Sequence, residues 1–195
     1  MSEPTREQAW ELFCEWTESE SLRKHALGVE AAMRAHAVRL GEDEERWAIT
    51  GLVHDLDYER HPDLETGHPR MAMAELEKRG YPKDVIDAVA GHNELVGVAR
   101  ETQMAKTLFA VDELSGFIGA CALVRPTGIE GMKTKSVRKK LKQASFAAAV
   151  DRAEIARGIE ELEVDEGEHI ALVIEALSAN AEALGLSAAQ LGTAT

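Results

Sequence analysis

Several protein classes are excluded by what this 195-residue sequence lacks. It holds only two cysteines, Cys14 and Cys121, which are too few for a disulfide framework or a four-thiolate zinc site. No stretch reaches the roughly 18 to 20 uninterrupted apolar residues that a membrane-spanning helix needs. The first residues also lack the apolar core of a secretory signal. We therefore expect a cytoplasmic protein with no membrane partner.

Glycine and proline are also scarce, with 15 and 5 residues, and this scarcity disfavours a turn-rich β-sandwich. Alanine, glutamate and leucine are abundant instead, and together they supply 75 of the 195 positions. All three residues have high intrinsic helix propensity. Hydrophobic residues make up 45% and charged residues 29% of the chain, as is typical of a folded globular protein. The composition therefore favours a helical domain.

Negative charge dominates the chain, with 35 acidic against 22 basic residues and a net charge of −13. Such a balance makes nucleic acid an unexpected partner. Six of the basic residues nevertheless lie within ten positions, 133–142, where no acidic residue occurs. We call these residues the basic segment. It is either an interaction surface or a solvated helix face that contacts acidic residues elsewhere in the chain.

Hydrophobic periodicity predicts helices along the whole chain and no confident strand. In one of them, apolar residues recur every three or four positions from Leu22 to Leu40, and Gly41 fits its end. Pro82 fits the first turn of a later helix, whereas the polar stretch 57–69 is predicted to be a loop. The predicted helices cover residues 6–17, 21–40, 43–55, 70–78, 82–90, 104–124, 136–142, 152–162 and 166–184.

The helical pattern is interrupted at residues 125–131, which contain one proline and two glycines. We interpret this interruption as the boundary between a core and a C-terminal subdomain. The predicted regions are an N-terminal helix that packs on the core (1–19), the core itself (20–125) and a C-terminal helical subdomain (126–195).

Four ionisable residues stand out inside apolar helical segments. His54 and Asp55 close the apolar run of the third predicted helix, where a charge is costly unless a partner neutralises it. His25 lies on the inner face of the second helix, and Asp112 interrupts an apolar stretch of the sixth. Each residue taken alone fits a hydrogen-bonded core histidine or a helix-edge aspartate. Together they suggest a shared divalent cation, since imidazole and carboxylate are the usual ligands at catalytic metal sites.

The order and surroundings of these residues resemble the metal-binding signature of the HD-domain superfamily of metal-dependent phosphohydrolases. The resemblance covers about residues 20–125, and its matching pieces are Leu22–Val29, Gly51–Asp57 and Ala110–Ser115. It implies an all-α fold, a compact multi-helix HD-domain bundle, here with a C-terminal helical extension. One departure is that Leu56 and Asp57 follow the His-Asp pair where one subgroup has Ile and Gly.

The resemblance also implies the metal ligands. One ion would be held by His25, His54, Asp55 and Asp112, and a second by Asp55, His68 and His92. Asp55 would therefore bridge the two ions. The ligand types suit Fe, Mn, Zn, Co, Ni or Mg, and do not distinguish among them or between one ion and two.

The implied activity is hydrolysis of a phosphate ester by a metal-activated water, with a small phosphorylated molecule, expected to be a nucleotide, as substrate. Asp55 is the central catalytic residue, and Asp57 or Glu59 is a candidate to protonate the leaving group. The remaining phosphate oxygens need positive charge beyond the metal. Candidates for this substrate-binding role lie in the basic segment and are Lys133, Lys135 and Arg138.

Two other functions stay open at this point. Some HD proteins with the same ligand order use two irons to activate dioxygen, and the ligand types alone do not separate that chemistry from hydrolysis. Alternatively, the protein is a non-catalytic helical module with a structural metal and a basic segment that docks a partner. Neither reading changes the predicted ligands.

The other histidines are predicted to lie outside the metal site. His36 shares a helix face with His25, but eleven residues of helix separate the two by about 16 Å. We interpret His36 as a residue at the edge of the core. His61 and His169 have highly charged neighbours in the sequence and are predicted to be solvated.

Overall fold

The computed structural model describes residues 3–192, and within them the chain is entirely helical, with no strand. This confirms the predicted all-α class. The helices are α1 (Arg6–Trp16), α2 (Glu20–Leu40), α3 (Glu44–Val53), α4 (Arg70–Lys78), α5 (Lys83–Gly91), α6 (Gln103–Leu123), α7 (Thr134–Leu141), α8 (Arg152–Leu162), α9 (Glu166–Ala179), α10 (Ala181–Leu184) and α11 (Ala188–Leu191). A single 3₁₀ turn, Glu94–Val96, lies between α5 and α6.

Local capping explains most of the helix ends. The Ser19 hydroxyl accepts a hydrogen bond from the first turn of α2, and the Asp43 carboxylate does the same for α3. Gly41 ends α2 in the left-handed region at φ 72°, as predicted. The predicted helix 166–184 is in fact two helices, α9 and α10, separated at Asn180. The short helices at 94–96 and 188–191 were not predicted, because a segment of three or four residues is too short to show a hydrophobic periodicity.

Helices α2, α3 and α6 form the centre of the bundle. Helices α2 and α3 approach each other closely at Gly51, where an added Cβ atom would lie 2.9 Å from the Val29 carbonyl oxygen. Only glycine permits this approach without a shift of the backbone. The close packing brings His54, at the end of α3, beside the inner face of α2.

The C-terminal helices pack directly on this centre. Gly158 of α8 lies against Ala110 of α6, and an added Cβ atom would lie 2.6 Å from the Ala110 Cα atom. One continuous hydrophobic core includes Phe13 of α1, Leu114 of α6 and Val173 of α9. Residues from all three predicted regions, 1–19, 20–125 and 126–195, contribute to this core. The division of the chain into these regions stays a prediction.

Within residues 3–192, no single helix is both long enough and apolar enough to cross a membrane. Among the same residues, α9 and residues 181–191 together have the length and apolar composition of a membrane-spanning segment, but as a pair bent by 87°.

Candidate metal centre

Four histidines and two aspartates from five parts of the chain meet in one cluster. His25 comes from α2, His54 and Asp55 from the end of α3, and Asp112 from α6. The remaining two members immediately precede α4 and follow α5, and are His68 and His92. We call these six residues the metal-ligand cluster. All six predicted ligands are therefore brought together by the fold.

Asp55 lies at the centre of the cluster and divides it into two sets. Its Oδ2 atom is 3.4 Å from His54 Nε2 and 3.8 Å from His25 Nε2. Its Oδ1 atom is 3.4 Å from His68 Nε2 and 3.6 Å from His92 Nε2. One carboxylate thus presents one oxygen to each pair of imidazoles, which is the arrangement that a bridging ligand requires.

The first set also contains Asp112, whose Oδ1 atom is 3.0 Å from His25 Nε2 and 3.4 Å from His54 Nε2. His54 is completely buried, and its Nε2 atom has no hydrogen-bond partner among the described residues. A buried polar atom without a partner is costly. A cation bound between the two carboxylates would complete the environment of this nitrogen, so the first set fits a divalent metal.

The second set is equally compact, with His68 Nε2 and His92 Nε2 only 3.0 Å apart. Two ligand atoms that each lie about 2.1 Å from one ion, at right angles, are separated by about 3.0 Å. The distances from both nitrogens to Asp55 are only slightly longer. The second set therefore also fits a divalent metal.

Hydrogen bonds behind the imidazoles orient them toward the cluster. His54 Nδ1 donates to the Gly51 carbonyl oxygen at 2.7 Å, and His92 Nδ1 donates to the carbonyl oxygen of Val89. His68 Nδ1 donates to Asp57 at 2.7 Å. Since a carbonyl oxygen only accepts, Nδ1 of His54 and of His92 carries a proton, and Nε2 is the ring nitrogen that faces the cluster. Such partners fix the tautomer and orientation of metal-binding histidines.

The charges of the cluster depend on one another. Burial by itself would raise the pKa of Asp55, but the neighbouring His54 and His92 hold that pKa well below its ordinary value. The pKa of Asp112 is likewise lowered, because His54 and His25 outweigh its burial. In turn, these two carboxylates raise the pKa of His54 despite its complete burial. Both aspartates are therefore ionised and available to a cation.

The position of Asp57 does not suit the predicted role of a proton donor. It is completely buried, and its two oxygens accept hydrogen bonds from His68 Nδ1 and from the backbone N–H of Ala72, each at 2.7 Å. The carboxylate lies behind His68 rather than in the cleft, so its position suits orientation of that imidazole. Glu59 is also displaced from the cleft, because it accepts hydrogen bonds from the backbone N–H groups of Glu18 and Ser19.

The basic segment does not reach the metal-ligand cluster. Arg138 forms an ion pair with Glu166 at the start of α9, with an Nε–Oε2 distance of 2.7 Å. Lys140 lies over the Phe146 ring at 4.1 Å. Among the described residues, neither Lys133 nor Lys135 nor any other member of the segment lines the cleft that opens onto the cluster. This placement does not favour the predicted phosphate-binding role, which stays a prediction, because α7 packs against α9 and α6.

The cleft has a volume of about 490 Å³ and is walled by residues that the sequence did not single out. Tyr58 presents its ring to His68 with the centroids 5.2 Å apart. Glu113, Asp151 and Glu154 also line the cleft, and the Asp151 carboxylate caps the first turn of α8. Burial, followed by the neighbouring charge of Asp112, raises the pKa of Glu113 to about 7. Glu113 adjoins the predicted ligand Asp112 in the sequence, and Tyr58 adjoins the predicted catalytic residue Asp57, whereas no local pattern pointed to Asp151 or Glu154.

The other three histidines lie outside the cluster, as predicted. One of the two that were predicted to be solvated is buried instead. His169 is only 2% exposed, donates from Nε2 to the Ala110 carbonyl oxygen, and lies 3.1 Å from His36 Nε2 through its Nδ1 atom. The prediction for His169 is therefore wrong, because α9 turns this face toward α2 and α6. His36 is also buried, whereas His61 is partly exposed near Trp16.

Comparisons with known proteins agree with this geometry. The chain is 33% identical to ribonuclease Y of Oleidesulfovibrio alaskensis over 98 residues, which are 50% of this chain and 18% of that protein. It is 30% identical to ribonuclease Y of Thermus thermophilus over 96 residues, 49% of this chain and 16% of that protein. The chain thus spans less than a fifth of the length of these relatives. No solved structure matches it significantly.

The HD domain family model matches residues 22–116. This stretch begins just before His25 and ends just after Asp112, so it contains every member of the metal-ligand cluster. With their convergent histidines and aspartates inside a helical bundle, residues 22–116 of this chain form an HD domain.

Proposed function

We propose that this protein is a metal-dependent phosphohydrolase that cleaves the phosphate ester of a small molecule. The observation that carries the proposal is the pair of ligand sets joined through the two oxygens of Asp55. A divalent metal bound there lowers the pKa of a bound water and polarises a phosphoryl oxygen. In the overall reaction water adds to phosphorus, the bond to the ester oxygen breaks, and the alcohol leaves with a proton.

The protein's own residues would hold the reacting groups in place. His25, His54 and Asp112 would keep one ion on one side of Asp55, and His68 and His92 would keep the other ion on the opposite side. The hydrogen bonds behind the histidines reduce the reorganisation needed on binding. The HD domain at residues 22–116 supports this assignment.

The charge of the cleft supports a substrate with a single phosphoryl group. Glu113, Asp151 and Glu154 line it, and no lysine or arginine does so within residues 3–192. Additional phosphates would meet these carboxylates without a compensating cation. Among nucleotides, the expected substrate is therefore a nucleoside monophosphate rather than a triphosphate. The same acidic wall disfavours RNA, although the ribonuclease names of the relatives make RNA a necessary test substrate.

The proposal is tested by measuring phosphate release from protein reconstituted with Mn²⁺, Co²⁺, Zn²⁺ or Fe²⁺. We expect release from phosphate monoesters that depends on added metal, persists without oxygen and is lost in Asp55→Asn. A folded, metal-loaded protein that releases no phosphate from a broad panel of esters would contradict the proposal. Oxygen consumption coupled to substrate loss by the iron-loaded protein would indicate an HD-type oxygenase instead.

A further inference from the structure

A second cavity, of about 530 Å³, adjoins the metal-ligand cluster. His25 and Gly116 line both this cavity and the cleft, so the imidazole of His25 is part of the wall between them. Gly116 places no side chain beside the His25 ring at this point. A Cβ atom added to Gly116 would lie 3.7 Å from His25 Nδ1. The cleft and the second cavity therefore adjoin at His25 and Gly116.

The walls of this cavity are mostly small or aliphatic, and the polar residues Glu20, Ser21 and Lys24, which also line it, are exposed at the surface. Helix α6 contributes Gly119 and Ala120, and the opposite side carries Leu177, Leu184 and Leu186. A Cβ atom added to Gly119 would meet no atom within 4 Å, so the absence of a side chain here leaves open space. We call this space the apolar cavity.

One buried polar atom beside the apolar cavity lacks a partner. Ser115 lines the cavity and is only 4% exposed, yet its hydroxyl has no hydrogen-bond partner among the described residues. Buried hydroxyl groups are normally paired, because an unpaired one loses its bonds to water without replacement. The Ser115 hydroxyl is therefore an unpaired polar atom buried behind the cavity wall.

We propose that the apolar cavity binds the alcohol portion of the phosphate ester, and that this portion is a hydrocarbon chain or ring. The inference rests on the proposed function, which places the phosphoryl group at the metal-ligand cluster. A sugar or a nucleobase carries several hydrogen-bonding groups, and most of them would stay unpaired against leucine, alanine and glycine.

The test uses metal-reconstituted protein and a series of n-alkyl phosphates from ethyl to octyl, which share nearly the same leaving-group chemistry. We expect kcat/KM to rise about threefold for each added methylene until the cavity is filled. In Gly119→Leu the added side chain occupies the cavity, so the octyl-to-ethyl ratio of kcat/KM falls toward one. Ala171→Leu, which adds three carbon atoms where Gly119→Leu adds four, is the control at an exposed position on α9 and keeps the wild-type ratio.

A binding measurement separates failure of this inference from failure of the proposed function. Octylphosphonate, which is not hydrolysed, should bind the metal-loaded protein at least tenfold more tightly than ethylphosphonate, and Gly119→Leu should remove that difference. Chain-length-dependent binding without ester hydrolysis would support the cavity and contradict the function. Hydrolysis with no dependence on chain length would overturn the cavity, as would faster turnover of a nucleoside monophosphate that Gly119→Leu does not affect.

Discussion

The buried carboxylate of Asp57 is expected to control one ligand set without touching an ion. It accepts one hydrogen bond from His68 Nδ1 and one from the backbone N–H of Ala72. In Asp57→Asn only one oxygen remains to accept, and Ala72 lies in the first turn of α4, where its N–H has no intrahelical acceptor. The amide oxygen is expected to stay with Ala72, so the amide NH₂ group turns toward His68.

This exchange alters the chemistry of His68 at the atom that faces Asp55. Two N–H donors cannot share a hydrogen bond, so His68 takes the tautomer with its proton on Nε2. That nitrogen, 3.4 Å from Asp55 Oδ1, then lacks the lone pair that a metal needs. Loss of such an outer partner usually weakens metal binding 10- to 100-fold, which corresponds to about 1.4 to 2.8 kcal/mol.

The assay is calorimetric titration of metal-free protein with Zn²⁺ or Mn²⁺ in the presence of a competing chelator. We expect one of two binding steps to weaken by this factor, while the step that depends on His25, His54 and Asp112 changes less than about threefold. Glu59→Gln is the matched control, because it alters a carboxylate only two residues away. The Glu59 carboxylate accepts hydrogen bonds from the backbone N–H groups of Glu18 and Ser19, just before α2. Equal weakening of both steps, or of neither, would refute the reasoning.

Three further outcomes follow from the geometry. His54→Ala should abolish both metal retention and turnover, whereas His61→Ala should change neither in elemental analysis and activity assays, and equal losses would contradict the ligand assignment. Burial and then the neighbouring His36 lower the pKa of His169 to about 4, below its ordinary value of 6.5. Because the pKa of His169 is lower in the folded state, its contribution to the free energy of unfolding is fully present above pH 6.5 and is lost as the pH drops toward 4. The loss is about 2 kcal/mol between pH 7.5 and 5. Urea unfolding of wild type and His169→Gln over this range should show the slope in wild type alone, and parallel curves would contradict it. Replacing Lys133 and Lys135 with alanine should leave KM for a phosphate monoester within twofold, and a tenfold increase would show that the basic segment reaches the cleft.

Most helices could be predicted from the sequence because their signals are local. Apolar residues every three or four positions and an N-capping Ser19 or Asp43 depend only on neighbouring residues. The break at Asn180 was missed because alanines and leucines continue through it without a proline or glycine. There the chain turns so that Leu184 and Leu186 are buried in the core, which is a tertiary requirement.

The roles of Asp57 and the basic segment show where local patterns are insufficient. Asp57 follows the metal pair so closely that a place in the cleft was expected. The turns after α3 instead bury it against His68 and the start of α4. The basic segment was assigned to phosphate because it is the strongest positive feature of the chain. Its actual partner is the acidic start of α9, where Arg138 meets Glu166.

By itself the sequence determined the helical class, through composition and hydrophobic periodicity, and its resemblance to HD-domain proteins implied the six candidate ligands. Only the tertiary structure decided which oxygen of Asp55 faces which histidines and which wall of the cleft is acidic. It also placed the apolar cavity beside His25. These features join residues far apart in the sequence, such as His25 and Leu186, which are 161 positions apart and line the same cavity. Such distant contacts arise from helix packing, which no local pattern encodes.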